Sequence, residues 1–246
     1  MNLLVDLGNS RLKWAQYAAG LWHSDAASLD SEKNIESLFD KAWGKIAKPQ
    51  RVIVCSVSSP ERSNALERWI QTRWSVTPHI SFPQAEQLGV KNLYRNPQQL
   101  GADRWAALIG ARGLTASAAC VVDAGTAVTV EALSTKGEFL GGAIFPGLQL
   151  LRDSLARGAQ AIAPAEGNAA DSLARSTADG VAAGTLFGLA GAVERLLDEY
   201  RRTLGETMQI FLTGGDAPAL AAQLPVPVTM VPDLVLKGLA RIADRL

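Results

Sequence analysis

The sequence predicts an α/β protein built from two similar lobes, and three observations carry that prediction. An apolar strand running into an acid and a glycine turn, Leu3-Leu4-Val5-Asp6-Leu7-Gly8-Asn9-Ser10, has an echo at Cys120-Val121-Val122-Asp123-Ala124-Gly125-Thr126. A third glycine turn, Thr213-Gly214-Gly215-Asp216, again follows an apolar strand and precedes a helical pattern. The order of elements, strands then helices twice over, suits two lobes with a ligand in the cleft between them.

Taken in order, residues 14–22 complete a second strand and a turn at Ala18-Ala19-Gly20. Residues 31–48 place Ile35, Leu38, Phe39, Ala42, Trp43 and Ile46 at helical spacing, and Lys48-Pro49-Gln50 stops that helix. A Val-Ile-Val run marks 51–57 as a buried strand. Ser58-Ser59-Pro60-Glu61 then opens a helix that turns Leu66, Trp69 and Ile70 inward and ends before Thr77-Pro78. The stretch 92–105 leads into a helix reaching about Arg112, and 113–118 reads as the boundary between lobes 1–115 and 116–246.

After the second hairpin come a strand over 138–144 and the run Gly141-Gly142-Ala143-Ile144-Phe145-Pro146-Gly147-Leu148, which opens a helix carrying Leu150, Leu151 and Leu155. Residues 159–170, rich in Ala, Pro and Gly, read as a loop before a long helix from Ser176-Thr177 through Arg202. Gly180, Gly184, Gly188 and Gly191 make a flat seam on that helix. Glycine in a helix costs roughly 0.5–1 kcal/mol against alanine, so the seam predicts close approach of another element, from this chain or a partner subunit. A strand at 209–213, a short helix at 217–224, a strand at 228–231 and a closing helix at 234–246 complete the chain.

Composition bounds the function. With 246 residues, 48% hydrophobic and 20% charged, the chain can bury a full core. A formal net charge of zero gives neither a nucleic-acid footprint nor a polybasic membrane patch. Cys55 and Cys120 sit in apolar strand-like runs without Cys-x-x-Cys spacing and read as reduced core residues. No basic region precedes the N-terminal apolar run, and the run 181–193 falls short of the roughly 20 residues that span a bilayer. A cytoplasmic protein is expected.

The turns carry the chemistry. Gly8 and Asn9 let backbone N–H groups approach phosphate oxygens with no Cβ in the way, and Ser10 adds a hydroxyl. Asp6 at the strand end suits Mg²⁺, held directly or through water. The same residues also suit an ordinary hairpin with Asn and Gly at positive φ, but three such turns can converge on one nucleotide. Gly101-Ala102-Asp103-Arg104 has two readings. One is a helix N-terminus with an acid against the macrodipole. The other is a base that takes a proton from a substrate hydroxyl, beside a guanidinium that binds carboxylate or phosphate in fork geometry. His23 and His79 lack metal-ligand spacing and read as structural or exposed.

Asp6-Leu7-Gly8-Asn9-Ser10, Gly101-Ala102-Asp103-Arg104, Asp123-Ala124-Gly125-Thr126, Gly141-Gly142-Ala143-Ile144-Phe145-Pro146-Gly147 and Leu212-Thr213-Gly214-Gly215 occur in this order. In these motifs, across essentially its whole length, the chain resembles the type III pantothenate kinases. The resemblance implies the actin-like, sugar-kinase-like ATPase fold, two lobes each with a mixed sheet flanked by helices, an active site in the cleft, and a homodimer. It implies transfer of the ATP γ-phosphoryl group to pantothenate, giving 4'-phosphopantothenate on the way to coenzyme A, with Mg²⁺ and K⁺ or NH₄⁺ required. No nucleic-acid or membrane partner is implied.

By position, the resemblance makes Asp103 the general base. It gives ATP to Asp6, Leu7, Gly8, Asn9, Ser10, Arg11, Leu12, Lys13 and Thr126, and pantothenate to Tyr94, Gly101, Ala102, Asp103, Arg104 and Thr177. Asp123 would bind the monovalent cation and Asp6 would hold Mg²⁺ through water. The first lobe would then carry the phosphate hairpin and the base loop, the second the echo hairpin, the cation site and a dimerisation helix. Family members often have Asn before the threonine and Ser-Gly further along, where this chain has Ser176 and Ala183-Gly184. Two other readings share these residues: a nucleotide-binding regulatory protein of the same fold, and a phosphotransferase or phosphatase with another acceptor.

Overall fold

In the computed structural model, which describes residues 1–18, 20–32, 34–159, 167 and 171–246, the chain divides into two units. These are Met1–Leu114 with Asp233–Leu246, and Thr115–Pro232. In the first, β1 (Asn2–Leu7), β2 (Arg11–Ala18) and β3 (Leu21–Ser28) form an antiparallel meander. β4 (Arg51–Ser56) and β5 (His79–Ile80) add in parallel beyond β1, giving the order β3-β2-β1-β4-β5.

Strand alternation sorts the residues between two faces. Leu3, Val5, Leu7, Val52 and Val54 join Phe39 and Trp43 of α1 (Ile35–Trp43) and Trp69 and Trp74 of α2 (Pro60–Trp74) in one core. Phe39 stacks on Trp43 at 5.3 Å, and Trp69 meets Trp74 edge-on at 4.9 Å. Leu4, Asp6, Ile53 and Cys55 turn the other way, toward the side where α3 (Ala102–Leu114) and α7 (Leu234–Ala243) pack. A short hairpin, β6 (Glu86–Gln87) and β7 (Val90–Asn92), lies ahead of α3 in the chain.

The close helix contact in this unit runs through Gly110 and Gly238. A Cβ at Gly110 would lie 2.6 Å from the Leu234 carbonyl oxygen, and one at Gly238 would overlap the Ala106 carbonyl. The closing helix, expected with residues 116–246, thus belongs to the first unit. Its reason is apolar: eight of its residues, from Leu234 to Ala243, are buried, and α3 gives their backbone a seat.

The second unit repeats the plan. β8 (Ala119–Ala124), β9 (Ala127–Leu133) and β10 (Glu138–Pro146) are an antiparallel meander, and β11 (Gln209–Thr213) and β12 (Thr229–Met230) add in parallel beyond β8. The sequence echo is therefore an echo of topology. Around the sheet lie α4 (Leu148–Gly158), α5 (Thr177–Leu204) and α6 (Ala217–Ala221), with Val122, Val128, Val130, Leu189, Val193 and Leu212 in one core.

Some boundaries differ from expectation. β3 was not foreseen, because its residues are mostly exposed and carry no alternation of apolar and polar. The expected loop at 159–170 lies outside the described residues except for 159 and 167. α5 runs well beyond the apolar stretch 181–193, and by length and composition it qualifies as a membrane span. Its Leu186, Leu189, Val193 and Leu197 nevertheless lie in the core of the second unit.

Candidate active site

In the first unit the acids at 6 and 103 come together around Cys55. Register sets Asp6 between Lys13 on β2 and Cys55 on β4. Its Oδ2 lies 3.9 Å from the Lys13 ammonium, and its Oδ1 accepts a hydrogen bond from the Cys55 thiol at 3.5 Å. Asp6 is 6% exposed and Cys55 fully buried. Burial, then the charges of Asp6 and Asp103, push the Cys55 thiol pKa well above its ordinary range, so the thiol stays a proton donor.

Asp103 stands in the first turn of α3, where its Oδ1 accepts from the Arg104 backbone N–H at 2.7 Å. Among the described residues its Oδ2 accepts no hydrogen bond. Gly101 makes room for this carboxylate, since a Cβ there would lie 2.5 Å from Asp103 Oδ1. The Arg104 guanidinium sits 5.7 Å from the centre of the Tyr94 ring, a cation–π arrangement that holds it near Asp103. Ala102 is buried beneath them, and Trp105 is fully buried, with its indole N–H donated to Gln87 at 3.0 Å.

The turn after β1 closes through Gly8 N–H to the Arg11 carbonyl at 3.0 Å. None of Gly8, Asn9 and Ser10 has positive φ. Space favours Gly8 instead, because a Cβ would come within 3.1 Å of the Arg11 oxygen. Arg11 is exposed, Leu7 and Leu12 are buried beneath the turn, and Lys13 is turned toward Asp6.

In the second unit the corresponding turn closes through Gly125 N–H to the Ala127 carbonyl at 3.2 Å. Two further glycines pack on it. Gly147 donates to the Thr126 carbonyl at 2.9 Å and precedes α4, leaving no room for a Cβ against Gly125 and Thr126. Gly214, at φ +100°, lies so close that a Cβ would overlap Ala124 and come 2.6 Å from Asp123 Oδ1. Two of the three predicted turns thus meet around Asp123, and the third follows Asp6 in the other unit.

Thr177 begins α5, whose N-cap Ser176 accepts from the Asp179 N–H at 3.1 Å. The serine in place of the family's asparagine therefore still caps the helix. Thr177, Gly180, Gly184, Phe145, Pro146 and Leu155 line an apolar groove of about 630 Å³. At Gly180, Gly184, Gly188 and Gly191 a Cβ would meet nothing within 4 Å among the described residues. The seam is not occupied by those parts of its own chain.

Cys55 is more than a core residue: its contact with Asp6 depends on parallel register, which leaves no local signal in the sequence. Arg62 was not singled out either, and its Nη1 donates to the Asn9 carbonyl at 2.9 Å.

A family model described as "Type III pantothenate kinase" matches residues 2–199. A relative bearing that name from Nitrosococcus oceani is 35% identical over 249 residues, covering 99% of this chain and 94% of its own length. Another from Alkalilimnicola ehrlichii is 40% identical, covering 98% and 97%. Among solved structures, one described as a Baf family transcriptional activator from Campylobacter jejuni superposes with a TM-score of 0.59 at 21% identity, covering 99% of this chain and 98% of that one. A glucokinase from an Antarctic psychrotroph gives 0.51 at 15% identity, covering 100% and 99%. These structural likenesses carry the fold alone, the actin-like, sugar-kinase-like α/β architecture.

Proposed function

We propose, from the premise that this chain belongs to the type III pantothenate kinase family and phosphorylates pantothenate with ATP, that Asp103 is the general base of that transfer. The reaction opens coenzyme A biosynthesis and yields 4'-phosphopantothenate. The observation that carries the assignment is the division of labour within one carboxylate: Oδ1 is fixed by the Arg104 N–H, and Oδ2 has no partner among the described residues. A base needs one oxygen held for aim and one lone pair free for the proton.

Oδ2 takes the proton of the pantothenate hydroxyl as its oxygen forms a bond to the γ-phosphorus and the bond to the ADP oxygen breaks. The transition state is loose, so positioning and charge stabilisation supply most of the rate. Arg104, steadied by Tyr94, binds the pantothenate carboxylate in fork geometry, with Gly101 and Ala102 shaping the pocket and Thr177 as a further contact. Asp6, Leu7, Gly8, Asn9, Ser10, Arg11, Leu12 and Lys13, with Thr126, hold ATP.

The residues fit the expected cations. Mg²⁺ in a phosphoryl-transfer site needs only one or two carboxylates besides phosphate and water, and Asp6 is one buried carboxylate at the turn. Asp123, in the turn against which Gly214 packs, is the carboxylate that would hold K⁺ or NH₄⁺. When bound, these cations neutralise charge on the transferring group. The open glycine seam of α5 supports a homodimer, with a second copy of the helix as its cover.

Incubating the purified protein with ATP and pantothenate, followed by mass analysis, tests the reading. A phosphopantothenate product is expected. Its absence, with another acceptor phosphorylated or none, removes the assignment.

A further inference from the structure

We propose that Arg62 is a positioning residue for the nucleotide, acting through the β1–β2 turn; the proposal rests on the reading that this turn holds the ATP phosphates. Arg62 lies in the first turn of the 15-residue helix α2 and donates from Nη1 to the Asn9 carbonyl at 2.9 Å.

The helix is anchored close by. Its N-cap Ser59 accepts from the Arg62 backbone N–H, Ser56 and Ser63 share a hydroxyl hydrogen bond of 2.8 Å, and Val57 N–H donates to the Leu7 carbonyl at 3.1 Å. The turn is therefore buttressed by a rigid element.

Planarity gives this contact its directional effect. In a trans peptide the C=O and the next N–H point in opposite directions. Holding the Asn9 carbonyl toward Arg62 aims the Ser10 N–H away from α2. Without the guanidinium the 9–10 peptide loses that restraint, and the donor the turn offers to a phosphate is held less firmly.

Charge adds to orientation. Among the described residues, the Arg62 guanidinium makes no hydrogen bond besides that to Asn9, and no ion pair. Its remaining N–H groups and its positive charge stay beside the turn, where a triphosphate benefits from both.

The test compares Arg62→Ala, Arg62→Lys and Gly8→Val with the wild-type enzyme. The readouts are steady-state kinetics in both substrates, ATP binding by calorimetry, and the melting temperature. A lost hydrogen bond to a charged group predicts that Arg62→Ala raises KM and Kd for ATP by about tenfold or more. KM for pantothenate and the melting temperature stay put, and Arg62→Lys, which keeps the charge and one donor, recovers most of the loss. Gly8→Val, which crowds the turn itself, weakens ATP binding whether or not Arg62 matters. If Gly8→Val weakens ATP and Arg62→Ala does not, the role of Arg62 is refuted and the turn assignment stands. If neither variant affects ATP, the turn assignment goes as well. A fall in melting temperature with both KM values rising together marks Arg62 as merely structural and overturns the proposal.

Discussion

Replacing Gly101 by alanine tests how tightly Asp103, the proposed base, is aimed. The new Cβ would sit 2.5 Å from Asp103 Oδ1, where ordinary contact begins at 3.4 Å, so the carboxylate must move by about 0.9 Å. It is the mobile group: the other near atom, Arg104 Cδ, is already at 3.6 Å. Gly101 does not have positive φ, so alanine brings no backbone strain, and its lower chain entropy makes the fold no less stable. A misplacement of about 1 Å at a reacting group is worth roughly 10²-fold. Steady-state kinetics should therefore show kcat down by about that factor, with KM for ATP and the melting temperature nearly unchanged. Asp103→Asn sets the floor, at a loss of roughly 10²- to 10⁴-fold. Wild-type kcat in Gly101→Ala, alongside a crippled Asp103→Asn, would show that the carboxylate needs no such aim and that its link to Gly101 is incidental.

Further outcomes are expected elsewhere in the chain. Asp123→Asn should chiefly alter the activation curve for K⁺ or NH₄⁺, measured by titrating each salt at fixed ionic strength; an unchanged curve rejects that site. Gly238→Ala forces a methyl into the Ala106 carbonyl, so thermal unfolding should show a loss of about 1–3 kcal/mol, with kcat falling because α3 carries Asp103. Gly184→Glu places a charge on the open seam and should dissociate the proposed dimer in sedimentation without loss of helix content. Burial raises the thiol pKa of Cys55 and Cys120 in the fold, so above their ordinary value of 9.0 the folded chain holds protons that the unfolded chain releases. Stability is then full below about pH 9 and falls as pH rises, by about 1.4 kcal/mol per pH unit for each thiol. A Cys120→Ala variant should show a shallower decline in denaturant titrations across that range.

What could be read from the sequence was what local chemistry dictates. The strand-acid-glycine pattern at Asp6 and Asp123 marks two turns because both close locally, through Gly8 to Arg11 and Gly125 to Ala127, within a few residues. Pro60 behind the N-cap Ser59 marks a helix start because its missing N–H costs nothing at the first helical position. Long-range partners left no such trace. The seat of α7 on α3 depends on Gly110 and Gly238, 128 positions apart in the numbering, each alone only a helix glycine of unclear purpose. The conspicuous glycines, 180 to 191, recur at turn spacing, yet a Cβ on any of them would meet nothing within 4 Å among the described residues. Periodicity reports that a face is flat; it does not say what the face meets. Cys55 is a similar case, since an apolar run announces burial but not that its thiol ends up beside a carboxylate.

The two first-unit acids divide their work according to what surrounds them. Asp6 has Lys13 at one oxygen and a thiol at the other, so its charge is balanced and both oxygens are engaged before any ligand arrives. A carboxylate with both oxygens engaged suits the proposed role of ordering metal-bound water. Asp103 has one engaged oxygen and one open to a proton. Cys55 keeps the pair compatible: a neutral group between two anions, it gives Asp6 a hydrogen bond without adding charge that would compete with Asp103. Putting an aspartate at 55 would place a third anion in this buried row and should abolish folding or activity, whereas the neutral Cys55→Ser should keep both.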